Sequence, residues 1–227
     1  MNDGTNDSSQ IVLAEADAVA APAAPATGAT RRQKGEETLA AVIDTALQMA
    51  VTDGLQSVSF GEVAKRLDIS KSAVFFHTGS LLALQRLVLD EYDRRFSDEI
   101  FVPALQAERG LPRLDAIVSQ WMLCCAERRA ISGAIFAVGA FEMHARLNPL
   151  HERLLASVTR WRGVLERTIA QAVEAGHLRA DTDAAEFAYI ISSLLLGLMH
   201  DRRFMGDERA VAHARSAYAR LLSTYRT

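Results

Sequence analysis

From Glu36 onward the chain repeats its apolar residues at helical spacing. Leu39, Val42, Ile43, Ala46, Leu47 and Ala50 fall three and four apart, and Gly54 closes that helix. Ser59-Phe60-Gly61-Glu62 has the S-x-x-E form of a capping box and opens a second helix reaching about Leu67. Asp68 stands where a tight turn wants a left-handed residue, which Asp tolerates better than most. Ser70 can cap a third, short helix ending near His77. A fourth helix is expected over 81–106, before Gly110 and Pro112, then a fifth over 113–128 and a sixth over 133–146. Asn148-Pro149 breaks the chain and starts a long seventh helix with the stripe Leu150, Leu154, Val158, Trp161, Leu165, Ile169 and Ala172, which Gly176 ends. Asp183 and Glu186 can cap an eighth, whose Phe187, Ile190, Ile191, Leu194, Leu195, Leu196, Leu198 and Met199 leave almost no polar side. A ninth is expected over 208–224. No alternating strand pattern, internal repeat or sustained heptad occurs, so the expected fold is all-α with about nine helices.

Residues 1–30 break this pattern. They are rich in Ala, Pro, Asp, Asn, Ser, Thr and Gly, and such a segment buries too little to offset its ordering entropy. Residues 1–34 are expected to be a disordered tail that ends in a short basic cluster, Arg31, Arg32 and Lys34. Charge follows the same division. The net −3 comes from the tail at −4, while residues 31–95 are neutral and the remainder is +1. Any basic footprint must therefore come from local arrangement. With 49% hydrophobic and 23% charged residues the chain can bury a core without staples.

Adjacent Cys124 and Cys125 make a poor disulfide and no zinc site, which points to a reducing cytoplasm. His144 and His151 lack companion ligands at useful spacing, so neither a metal nor a cofactor is expected. The longest apolar run, 190–199, is far too short to span a bilayer, so no membrane partner is expected either. No nucleophile elbow, paired carboxylate site or phosphate-binding loop marks an enzyme.

Residues 59–77 meet the demands of a helix-turn-helix. Ala64 supplies the small residue at the crossing, and Val63, Leu67, Ile69 and Val74 supply a core. Asp68 supplies the turn, and the second helix then projects towards a major groove. An ordinary helical hairpin inside a bundle satisfies the same pattern.

Residue content separates the two readings. Gly54-Leu55-(x3)-Ser59-(x3)-Val63-Ala64-(x4)-Ile69-Ser70-Lys71-Ser72-x-Val74-Phe75-Phe76-His77 resembles the N-terminal domain of the TetR family of repressors, over about residues 38–90. The resemblance implies a head over 35–80 that binds double-stranded DNA and a helical body over 81–227 that binds a small-molecule effector and dimerises. It implies that Ser59 and Ser70 cap their helices near phosphate, that Lys71, Ser72 and Ala73 face base edges, and that Phe75, Phe76 and His77 hold the family's aromatic and phosphate-contacting positions. Arg31, Arg32 and Lys34 would follow the DNA backbone or enter the minor groove as an arm. The chain departs from the pattern where tyrosine is usual at 75–76, at Thr78 in place of Phe or Val, and at Leu81 in place of a phosphate-binding Lys. Weaker backbone affinity follows, or compensation by the arm. A helical adaptor of the same fold without DNA binding stays open on these grounds.

In the body, a helix apolar on every side must be buried on every side. The eighth and ninth helices, about residues 183–224, are therefore the expected homodimer interface, as the resemblance also implies. An effector pocket is expected between the fifth and eighth helices, with Trp121, Cys124, Phe136, Phe141, His144 and Trp161 as candidate lining and a mostly apolar ligand. The implied action is repression, relieved when ligand mis-spaces the two recognition helices on a palindromic operator.

Overall fold

A computed structural model describes residues 27–127, 131–142 and 149–227, with the side chains of 27–31 and 140–142 left out. The described residues are helical, without a strand; Leu178 and Arg226 form an isolated antiparallel bridge. The helices are α1 (Thr27–Asp53), α2 (Phe60–Leu67), α3 (Lys71–Thr78), α4 (Leu81–Phe96), α5 (Leu111–Ala126), α6 (Ala134–Glu142), α7 (His151–Glu174), α8 (Ala184–His200) and α9 (Ala210–Tyr225). A π-turn at Ser97–Phe101 and one last α-turn at Val102–Ala104 prolong α4 without a break, and a second π-turn, Asp201–Met205, prolongs α8.

The N-terminal boundary differs from expectation. Residues 27–34 are the first turns of α1, so Arg31, Arg32 and Lys34 belong to a helix and not to an extended arm. The local reason is side-chain pairing at helical spacing. Arg32 donates to Glu36 at 3.0 Å, Gln33 to Glu37 at 3.2 Å, and the Thr38 hydroxyl to the Lys34 carbonyl at 2.8 Å. Residues 1–26, the rest of the expected tail, lie outside the described residues.

The other boundaries follow their punctuation. Gly54 ends α1 at φ 87°, Gly110 precedes α5 at φ 89°, and Gly176 ends the α7 turn at φ 71°. Asp183 caps α8, accepting from the amides of Ala185 and Glu186. α1 packs on α2, α3 and α4; α7 packs on α5 and α8; α9 closes on α5 and α8. One hydrophobic cluster runs through the whole molecule, from Val42 to Leu222. α4 joins its two ends, with Leu84, Val88, Leu89, Tyr92 and Phe96 all buried.

α8 is buried on one side only. Phe187, Ile191, Leu195 and Leu198 face the core, while Tyr189 is 62% and Leu196 43% exposed in the single chain. No single helix among the described residues is long and apolar enough to cross a membrane.

Candidate functional site

The helix-turn-helix is assembled by short-range backbone contacts. Ser59 Oγ accepts from the Glu62 amide at 3.2 Å and starts α2. Val63 and Ala64 of α2 are buried, as the crossing requires. Asp68 then takes the left-handed conformation, φ 53° and ψ 44°, and it is the one non-glycine with positive φ among the described residues. Behind it the Ile69 amide reaches the Ala64 carbonyl at 3.0 Å, and Ser70 Oγ accepts from Ala73 at 3.1 Å to start α3.

The buried residues of α3 are Val74 and Thr78, four residues apart. The Thr78 hydroxyl donates to the Val74 carbonyl at 2.9 Å, so a polar residue is satisfied at that buried position. Lys71 and Ser72 are exposed, and Ala73 and His77 half-buried. Phe75 is 55% exposed and meets Phe60 of α2 edge-on at 6.0 Å; Phe76 is 82% exposed, its ring perpendicular to His77 at 5.3 Å. The stem of Lys71 crosses Gly61 so closely that a Cβ there would come within 3.0 Å of Lys71 Cε. His77 lies beside Gly35, which sets the first described turns of α1, with exposed Arg32 and Lys34, next to the end of α3. The side chain of Arg31 lies outside the described residues.

α4 starts from Ser80, whose Oγ accepts from Ala83 at 3.0 Å, a cap that the sequence reading missed. It is tied to the head by buried Gln85, which donates to the Leu55 carbonyl at 3.3 Å, and by Arg95, which pairs with Asp44 of α1 at 2.8 Å. Arg94 and Arg95 also converge on Glu91, and the hydrogen-bonded Arg94 guanidinium holds its carboxyl at about 2, well below the usual 4.5. On the body side stands Asp93, nearly buried. It accepts from Arg153 of α7 at 3.0 Å and from Arg160 of α7. Arg153 also reaches Asp90 at 2.6 Å, and bonds Ser157. On the residue preceding Asp93, the Tyr92 hydroxyl accepts from the Gly133 amide at 2.8 Å, and burial pushes this phenol far above its usual range. The sequence carried one signal for the Asp93 cluster: an acid in step with Gln85 and Leu89 on an inward stripe.

A cavity of about 360 Å³ lies between α5, α6, α7 and α8. Trp121, Phe136 and Trp161 line it, as do Gly133, Arg162, Tyr189, Ser193 and Met199, none of which the sequence pointed to as lining. Trp121 and Trp161 meet edge to face at 4.9 Å. Trp121 Nε1 donates to the Ser132 carbonyl at 3.0 Å, whereas Trp161 Nε1 is buried without an acceptor. Gly133 has φ 91°, and a side chain there would run into Met199 and Trp121.

Cys124 is not part of this wall. It is fully buried on α5, away from the cavity, because its position on the helix faces the core. Its neighbour Cys125 is pushed up to about 12 by burial and then by Cys124, so its thiolate is scarce at neutral pH. The Phe141 side chain and His144 lie outside the described residues. Among the described residues no three His, Cys, Asp or Glu side chains gather as metal ligands.

Known proteins share this arrangement. The family model described as Tetracyclin repressor-like, C-terminal domain, matches residues 110–218, from the glycine before α5 into α9. The HTH-type transcriptional regulator SrpR of Pseudomonas putida is 22% identical over 182 residues, which is 78% of this chain and 80% of that protein. Residues 110–218 match the C-terminal domain of the TetR family, and over most of its length the chain is similar to transcriptional regulators.

Solved TetR-family structures agree on the fold. A TetR transcriptional regulator from Chloroflexus aurantiacus J-10-FL superposes with a TM-score of 0.77 at 20% identity, covering 86% of this chain and 98% of that one. AibR, solved with isovaleryl coenzyme A and operator DNA, superposes with a TM-score of 0.61 at 18% identity, covering 78% of this chain and 95% of that one. The proteins matched are transcriptional regulators by name.

Proposed function

We propose that the chain is a repressor that holds a palindromic operator as a homodimer in the cytoplasm and leaves it when a small, mostly apolar molecule fills the cavity. A DNA-binding head ends near residue 80, and residues 81–227 form the effector-binding and dimerisation body. The observation that carries the DNA reading is α3 itself. Its outer face, with Lys71, Ser72, Phe75 and Phe76, is exposed, while caps and the Asp68 turn fix its direction. In this reading Lys71, Ser72 and Ala73 meet base edges, and Lys71 donates to guanine O6 or N7. Phe75 and Phe76 offer apolar contact to sugar or thymine methyl. Ser59, Ser70 and His77 meet phosphate, joined by Arg31, Arg32 and Lys34 from the start of α1.

The half-bare side of α8, together with α9, pairs with a second copy. Two-fold pairing there sets two recognition helices one DNA turn apart, ~34–36 Å, or a multiple of it. Effector release follows from α4. Arg160 and Arg162 flank the cavity residue Trp161, and Arg160 holds Asp93 of α4. A ligand that favours a shifted Trp161 favours a shifted α4, and its differential affinity for the two states sets how far the population moves.

Footprinting on DNA upstream of the chain's own and neighbouring genes, across a salt series, tests the reading. A sharp palindromic footprint is expected, with Lys71→Ala losing about tenfold or more in affinity and nothing in melting temperature. Sequence-blind binding that fades with salt and ignores Lys71→Ala would overturn it in favour of an adaptor.

A further inference from the structure

The effector cavity is walled by rings and aliphatic chains: Trp121, Phe136, Trp161 and Tyr189 beside Val158, Leu196 and Met199. Its polar groups include three that can donate to a ligand. Arg162 has no carboxylate partner among the described residues, Trp161 Nε1 is buried without an acceptor, and the Ser193 hydroxyl makes no hydrogen bond there. Among the described residues no acidic side chain lines the cavity. A buried donor left unpaired costs free energy that a ligand acceptor would recover.

Aromatic walls alone would equally suit a quaternary ammonium, held by ring faces. Arg162 argues against that. Its guanidinium already lies over the Tyr189 ring, 5.8 Å from the centroid, and would repel a second cation in the same space. Volume bounds the size. At ~30 Å³ per water, about a dozen waters fill 360 Å³, the space of a ligand of about a dozen non-hydrogen atoms.

We propose that the effector is a small apolar monocarboxylate, its aromatic or aliphatic body between Trp121, Phe136 and Trp161 and its carboxylate at Arg162 and Trp161 Nε1. This assignment rests on the effector reading of the same cavity and adds the chemistry of the ligand's polar end.

Titration calorimetry of the full chain with three matched probes tests it: 4-phenylbutyrate, 4-phenylbutan-1-ol and 4-phenylbutylamine. The acid should bind at least tenfold tighter than the alcohol, and the amine weakest. Arg162→Gln should weaken the acid far more than the alcohol and so narrow the preference between them. Trp161→Phe, which keeps the ring and removes the N–H, should weaken the acid about fivefold to tenfold. Equal binding of all three probes, or tightest binding of the amine, overturns the carboxylate assignment and leaves an effector cavity standing. No heat from any probe, with unchanged operator affinity in their presence, overturns the effector reading of the cavity itself and the assignment with it.

Discussion

The head and the body both place aromatic rings beside a helix interface, and they use them in opposite ways. On α3, Phe75 and Phe76 stand mostly in solvent, and the helix keeps its direction through backbone devices: the Ser59 and Ser70 caps and the left-handed Asp68. Around the cavity, Phe96, Trp121 and Phe136 are buried in a lattice of edge-to-face contacts, with centroids 4.9 and 5.0 Å apart. Local hydrogen bonds hold the surface proposed to read DNA; long-range ring packing holds the chamber proposed to take the effector. A rigid reading head and a body whose contacts can be re-sorted suit a regulator whose two ends must answer different molecules.

The strongest way to break this contrast is to empty the lattice. Trp121→Ala removes a fully buried ring and is expected to cost about 3–5 kcal/mol, seen as an earlier urea midpoint. Amide exchange should then rise in α5 and α6 before it rises in α2 and α3; a uniform rise would merge the two regions. Next comes the link between them. Asp93→Asn leaves Arg153 and Arg160 facing a neutral amide, at about 2 kcal/mol, below the ~3–5 of a fully buried pair because Arg160 is largely exposed. Operator affinity should survive in this variant while effector-driven release weakens, which titrating effector against a bound operator would show.

Smaller effects belong to the head. Ser70→Ala removes the α3 cap and should cost about 1 kcal/mol, with exchange rising locally in α3. A body-wide change in exchange would contradict the local origin of its order. The smallest effect is pH-dependent. The Glu91 carboxyl titrates at about 2 in the fold against a usual 4.5. The stability it contributes is therefore present above 4.5 and disappears as pH falls towards 2. Melting curves of the parent and Glu91→Gln should converge over that window and differ modestly above it.

The same contrast governs what the sequence could reveal. The head was legible because its devices are short in sequence: S-x-x-E at 59–62, Gly54, and an Asp between two apolar stripes. The helix count and most boundaries were legible for the same reason. The start of α1 was misread because Ala/Pro composition masked the Arg32–Glu36 and Gln33–Glu37 pairs, which sustain helix before the apolar stripe begins. In the body, aromatic character alone pointed to Trp121, Phe136 and Trp161. Arg162, Tyr189 and the Asp93–Arg160 contact escaped because they join helices 27 to 67 residues apart in the chain. Cys124 was misplaced because helical spacing gives a face but not which of two packed neighbours that face meets.

The two tryptophans of the chain are also neighbours, and both stand on the cavity wall. Tryptophan emission from this protein therefore has a single address, and α3 holds no tryptophan. Quenching or a colour shift times the arrival of a molecule in the chamber, and a dye on the operator times the departure of the DNA. Recorded together after rapid mixing, the two signals order the events and give the delay between filling the body and freeing the head.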